Sequence, residues 1–232
     1  MRVLVPPATA TAGVTLDLDD AESHHLRVRR ARAGQEAELR DGQGLDGTGI
    51  LEPAGNRWTV RVTRAETVHP PAGLTLAVGA GDRERFGWLV EKAAELGVSR
   101  VMPLETSRTE GVATRIRERH VERLARRALE ATKQSGAHWS PAVSAPEAYA
   151  AFIVRARSGA RWLADGEGRA PETPAGEVTV LVGPEGGFTD EEREAAISAG
   201  WTPVALGPNV LRFETAAIAA AAHIAIERGR SR

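Results

Sequence analysis

Leu181-Val182-Gly183-Pro184-Glu185-Gly186-Gly187-Phe188-Thr189 and, further on, Leu206-Gly207-Pro208-Asn209-Val210-Leu211-Arg212-Phe213-Glu214-Thr215-Ala216 decide how this chain is read. Each leads a β-branched, apolar run into a glycine–proline loop and then into a helix start. Val178–Val182 reads as the strand before the first loop. Thr189 then caps a helix over Asp190–Ala199, with Glu192 three residues on completing a capping box and Gly200 stopping it. Thr202–Leu206 is the strand before the second loop, and a helix follows from about Glu214 to Arg228. Glycines at a strand end let a ligand reach bare backbone, whose N–H and C=O groups then read it. The pattern is neither GxGxxG nor a P-loop, because no Lys-Ser/Thr follows, so a phosphate cradle is a poor match. Taken singly, each loop has a plainer reading. The first is a turn that needs glycine for its dihedrals. In the second, Glu214 complements a helix dipole and Arg212 is a solvated charge.

Working outward, the same alternation continues toward the N-terminus. Leu74–Val78 reads as a strand, Phe86–Leu96 as a helix stopped by Gly97, and Val98–Leu104 as a strand. Arg115–Gln134 is a long helix with a partial stripe of Ile116, Leu124, Ala128 and Leu129, and Ala160–Ala164 is one more strand. This order gives an α/β domain with a largely parallel sheet. Pro70-Pro71-Ala72-Gly73 marks its start, since neither residue type belongs inside a regular element. Before that boundary the pattern is β. Glu36–Arg40 and Trp58–Arg64 alternate, and Asp41-Gly42 and Asp46-Gly47 are turn dipeptides. The expected organisation is therefore a small β-barrel over residues 1–71 and an α/β domain over 72–232.

Composition narrows the function classes. The 232 residues are 42% apolar and contain no cysteine, which removes disulfides, thiolate nucleophiles and cysteine-based zinc sites. No apolar run approaches the roughly 18–20 residues of a membrane span, and MRVLVPPATA lacks the apolar stretch of a secretory signal, so a cytoplasmic location is expected. The net charge of −1 conceals local basic clusters. Arg27, Arg29, Arg30 and Arg32 crowd one segment of the first domain, and Arg115, Arg117, Arg119, Arg123, Arg126 and Arg127 follow one another in the second. Such runs are solvated faces by default; beside a nucleic-acid enzyme they become phosphate contacts. His24-His25 suggests a metal pair, but neighbours on a strand point to opposite faces, which favours a structural or RNA-facing role and no metal. Trp58 and Trp88 sit in apolar patterns and are assigned to the core.

Together, and in this order, the two loops resemble the C-terminal motifs of the SPOUT RNA methyltransferases, and specifically the RsmE family. The segments Ser23–Arg30, Glu91–Val98, Pro103–Arg108 and Lys133-Gln134-Ser135 agree with it, so the resemblance covers nearly the whole chain. Gly136-Ala137-His138-Trp139 departs by lacking an arginine after Gln-Ser, and Phe213 stands where a small polar residue is common. The resemblance implies a PUA-like β-barrel in front of a trefoil-knotted α/β domain. It implies S-adenosylmethionine (S-adenosyl-L-methionine) as cofactor and methylation of uridine N3 in 16S ribosomal RNA. By position, Leu181, Gly183 and Gly187 line one side of the cofactor, and Leu206, Gly207, Leu211, Arg212, Thr215 and Ala216 the other. Arg212 would stabilise charge on the uracil oxygens as N3 loses its proton, with Glu214 as base or as orienter of that arginine. Arg27, Arg29, Arg30, Arg32 and Arg108 are the expected RNA contacts.

Three other readings compete: methylation of another RNA or atom, a non-catalytic RNA-binding module, and a nucleotide-binding enzyme that uses the GPEGG loop for phosphate. Ribosomal RNA or the small ribosomal subunit is the expected partner, and a homodimer the expected working form. For the dimer the sequence offers its own reason. The segment Thr215–Ile226 is apolar almost all round, a pattern expected of a helix buried on every side.

Overall fold

In a computed structural model, residues 1–156, 158–172 and 176–230 are described. The chain divides into two compact units, Met1–Pro70 with Leu129–Ser140 and Pro71–Ala128 with Pro141–Arg232.

The first unit is built on a five-stranded sheet. Strands β1 (Arg2–Leu4), β2 (Thr15–Asp17), β3 (Glu36–Arg40), β4 (Leu45–Ala54) and β5 (Arg57–Thr67) are ordered β1-β3-β4-β5-β2. All pairs are antiparallel except β1 with β3. Val3, Leu39, Leu51, Val60 and Val62 alternate into its core and meet Leu18 and Leu26. Leu26 belongs to helix α1 (Asp20–Val28), capped by Asp19, whose carboxylate accepts the Glu22 N–H at 2.7 Å. His24 and His25 therefore lie on a helix and not on a strand, a correction to the sequence reading. The capping aspartate with Asp20 and Glu22 in the first turn is the signal that was passed over. Residues 129–140 join this unit through Lys133, whose ammonium lies 2.5 Å from Glu22 Oε1 with both side chains buried. Trp139 Nε1 donates to the Val68 carbonyl at 3.0 Å and covers Gly44, where a Cβ would collide with the indole.

The second unit is a parallel sheet between helices. Its elements are β6 (Leu74–Gly79), α2 (Arg83–Glu95), β7 (Arg100–Glu105), the first part of α3 (Val121–Ser135, which belongs to the first unit from Leu129 on), β8 (Ala142–Val143), β9 (Glu147–Ala148), α4 (Tyr149–Arg155), β10 (Ala160–Arg169), β11 (Val178–Val182), α5 (Asp190–Ser198), β12 (Thr202–Val204) and α6 (Phe213–Arg230). The strands run in the order β12-β10-β11-β6-β7-β8, with β9 also on β7, and every pair is parallel. Near-continuous burial along β6, β7 and β11 follows from covering both faces. Leu74, Leu76 and Val78 face one core with α2 and α6, while Ala77, Met102, Leu163 and Leu181 face another with Tyr149, Phe152 and Trp201. A 3₁₀ turn at Glu118–His120 precedes α3, which starts later than the sequence pattern suggested.

One sequence expectation changes here. Trp88 is 44% exposed on α2 and so is not core. Helix α6 is buried along one face within this chain. Ala217, Ala220, Ala221 and Ile224 face the core, whereas Ile218 and Ala222 are half-buried and Ile226 is exposed.

Candidate functional site

In a parallel sheet every strand delivers its following loop to the same end, and ligands bind there. The ends of β10 and β11, the loop after β12 and the start of α6 enclose a cavity of about 370 Å³, inside the about 300–1,000 Å³ typical of small-molecule sites. Apolar walls come from Leu163, Val182, Phe188, Leu206, Leu211 and Phe213. Gly183, Gly186, Gly187 and Gly207 bring bare backbone to it, and Asp165, Glu185, Arg193 and Asn209 bring polar side chains.

The first loop is held in shape by its own contacts. The Gly187 N–H donates to the Pro184 carbonyl at 2.8 Å, and Gly187 has φ +74°, a conformation that glycine adopts without strain. A Cβ at Gly183 would lie 3.0 Å from the backbone of Gly187 and Phe188, so this glycine lets the loop fold onto itself. Gly207 differs: its nearest neighbour is Leu211 at 3.5 Å, which leaves room beside it. The expected capping box is present. Thr189 Oγ1 accepts the Glu192 N–H at 3.2 Å, and Glu192 Oε2 accepts the Thr189 N–H at 3.0 Å. Glu192 Oε1 also accepts the Ser107 N–H at 2.8 Å, and the Tyr149 hydroxyl donates to the Glu192 carbonyl. Burial, with the Glu192 charge nearby, pushes the Tyr149 hydroxyl pKa well above its usual value, so it stays a donor. Glu185 also lines the cavity, and its Oε2 accepts the Gly81 N–H at 3.1 Å.

The sequence-predicted residues fall in different places. Gly183, Gly187, Leu206, Gly207, Leu211 and Ala216 line the cavity. Leu181 is fully buried in the sheet core behind the first loop, and Arg212 and Thr215 are exposed and outside the lining. Glu214 is buried with Oε1 3.7 Å from Arg85 Nη1 on α2, and its Oε2 has no hydrogen-bond partner. Arg108 is exposed against the glycine loop, where a Cβ on Gly186 would lie 3.1 Å from its Cδ. In the first unit, Arg27, Arg29, Arg30 and Arg32 are all exposed.

Sequence reading missed the contribution of β10. Asp165 and Gly166 line the cavity, and Asp165 Oδ2 lies 2.5 Å from Arg193 Nε, which also lines it. Arg193 reaches Glu167 at 3.5 Å, so the aspartate charge is matched within the site. The Asp165-Gly166 pair at a strand end was the available signal.

A family model described as an RNA methyltransferase domain matches residues 69–225, and one described as an RNA methyltransferase PUA domain matches residues 18–65. The chain is 30% identical to a ribosomal RNA small subunit methyltransferase E from Synechocystis, over 96% of this chain and 76% of that protein. It belongs to the ribosomal RNA small subunit methyltransferase E family. A Mycobacterium bovis member is 28% identical over 95% of this chain and 89% of its own length. Among solved structures, a Neisseria gonorrhoeae methyltransferase E bound to S-adenosyl methionine superposes with a TM-score of 0.86 at 27% identity, covering 97% of each chain. A Legionella pneumophila methyltransferase in complex with the same cofactor gives 0.84 at 27% identity, again covering 97% of each chain.

Proposed function

We propose that this methyltransferase E family member uses S-adenosylmethionine to methylate uridine N3 in 16S ribosomal RNA. The observation that carries this reading is the cavity at the parallel strand ends, walled by apolar side chains and edged by glycine backbone. That donor set suits an adenosine group, a flat apolar body with a polar rim, and the space beside Gly207 admits its close approach. The cofactor supplies the methyl group.

The chain's own residues bind and position. Gly183, Gly187, Leu206, Gly207, Leu211 and Ala216 hold the cofactor, and Leu181 supports the first loop from beneath. Arg212 stands beside two cavity residues, with its guanidinium free to meet RNA, and stabilises negative charge on the uracil carbonyl oxygens as N3–H ionises. Glu214, turned to Arg85, fixes the start of α6 and so the position of Arg212. Residues 1–71 act as the RNA-binding domain, through Arg27, Arg29, Arg30 and Arg32, and residues 72–232 as the catalytic domain, with Arg108 as a further RNA contact at the glycine loop. A homodimer is the working form, which would cover the half-exposed outer face of α6. Location in the cytoplasm, where ribosomal RNA is found, goes with this reading; no described helix is long and apolar enough to cross a membrane.

The direct test is transfer of labelled methyl from S-adenosylmethionine to ribosomal RNA from cells lacking the gene, followed by nucleoside analysis. Labelled 3-methyluridine in small-subunit RNA is expected. Label in another nucleoside would move the target, and no transfer would remove the activity.

A further inference from the structure

A second cavity, of about 620 Å³, lies in the α/β unit between the first turn of α2 and the chain leading into α3, and none of its lining residues belongs to the glycine loops. Arg83, His120, Arg123 and Arg127 line it, as do Asp82 and Glu84. Asp82 is committed elsewhere, since its Oδ1 accepts the N–H groups of Glu84 and Arg85 and caps α2. Arg127 is paired with Glu91. Arg83, Arg119 and Arg123 have no carboxylate partner among the described residues.

His120 is the informative group. Its Nδ1 lies 3.0 Å from the Arg117 backbone N–H, which requires that nitrogen to be the acceptor. A neutral imidazole that accepts at Nδ1 carries its proton on Nε2. Yet Nε2 faces Arg83 Nη1 and Arg119 Nε, each at 3.3 Å. No protonation state of the ring accepts at both nitrogens, and the charged ring accepts at neither. The cluster therefore has more donors than acceptors, three of them converging beside the cavity. Burial, then Arg83, Arg119, Arg117 and Arg123, hold the imidazole below its usual pKa, as expected of a positive environment.

An anion with several acceptor oxygens resolves this imbalance, and guanidinium forks match the oxygens of a phosphate. Arg117, Arg119 and Arg123 are exposed along the same segment, with Arg126 beyond them paired to Glu122, and a row of cations suits a strand of successive phosphates better than one free ion. Resting on the RNA methyltransferase reading above, we propose that this cavity seats a backbone phosphodiester of the substrate RNA, held by Arg83, Arg123 and the Nε2 side of His120.

The test uses the full chain with S-adenosylmethionine bound, a small-subunit ribosomal RNA fragment that accepts methyl, and the double variant Arg83→Gln/Arg123→Gln. RNA affinity is expected to fall about ten-fold near 0.15 M salt, and the slope of log K against log salt to flatten by about one unit, the signature of one lost phosphate contact. Cofactor affinity and kcat at saturating RNA should hold while KM rises. Arg83→Lys/Arg123→Lys should keep most of the slope. The wild-type His120 pKa should rise when RNA is added, and the glutamine variant should lose that response. Unchanged affinity and slope would overturn the subsite, as would lost affinity with the slope intact, which reports damage and not charge. Inorganic phosphate that saturates the cavity without competing with RNA would also overturn it, in favour of a free-anion site. If the wild-type chain binds ribosomal RNA and methylates it while these outcomes occur, the subsite alone fails. If it does neither, the proposed function fails first.

Discussion

Gly183 and Gly207 occupy equivalent places after two strands, yet their surroundings predict opposite behaviour. In Gly183→Ala the new Cβ meets backbone atoms of Gly187 and Phe188 at 3.0 Å, where no side chain can swing aside. The loop must shift, and overpacking of this kind costs about 1–3 kcal/mol. Because the strained segment is the one that lines the cavity, the cost is divided between thermal stability and cofactor affinity. At about 1.4 kcal/mol per decade, affinity should fall by about 5- to 150-fold if the loop carries all of it. In Gly207→Ala the Cβ has only an ordinary contact with Leu211 at 3.5 Å, so the protein without ligand should unfold at its usual temperature. Any loss of affinity there then reports the ligand itself against the backbone. Titration calorimetry with S-adenosylmethionine and a thermal melt of each variant separate the two effects. A wild-type melt and affinity for Gly183→Ala would refute the steric argument. Wild-type affinity for both Gly207→Ala and the larger Gly207→Val would refute close approach of the cofactor at the second loop.

Alanine at Arg27, Arg29, Arg30 and Arg32 together should weaken RNA binding and flatten its salt slope by up to about three units, at about 0.7 per phosphate for a single strand; wild-type affinity and slope would retire that surface. Arg212→Ala should lower kcat by about 100-fold with little change in cofactor affinity, and Glu214→Gln should lose less; normal turnover in both would move the active centre toward Arg108. Lys133→Met should destabilise the protein by about 3–5 kcal/mol, because it leaves the Glu22 carboxylate buried without its partner, whereas Lys133→Met with Glu22→Leu should recover most of the loss in a denaturant melt. Light scattering at micromolar protein should give twice the 24.7 kDa chain mass; an active monomer would sink the dimer.

What was legible in the sequence follows from which interactions are local. Val178–Val182, Thr189 with Glu192 and the Gly200 stop were readable because strand period, capping box and terminal glycine each act within a few residues. Helix α1 has low apolar content, so only the Asp19 cap and the acidic first turn mark it in the sequence. Strand β10 was expected to end at Ala164 and runs to Arg169, with an irregular register against β12. That irregularity depends on a neighbouring strand distant in sequence, and it sets Asp165 and Gly166 at the cavity. Trp88 looked like core because the alternation of an amphipathic helix identifies apolar residues without saying which of them find a partner. The imbalance at His120 could not be read at all, since it arises from Arg83 meeting a ring 37 residues away.

The capping box itself shows how a local signal takes on a tertiary task. An exposed Glu at the third helical position would only return a hydrogen bond to its own cap. Here Glu192 is buried, and its second oxygen accepts the Ser107 N–H from the loop after β7. One carboxylate thus joins the end of the GPEGG loop to the segment that carries Arg108, while Glu185 joins the same loop to Gly81 after β6. Both ties use backbone N–H donors, so they fix chain position and not merely side-chain orientation. Where glycine backbone lines a site, no rotamer change can make up for drift of the chain, and precision must come from loops held in place. Glu185 and Glu192 are thus, by geometry, restraints on the backbone of the glycine loop.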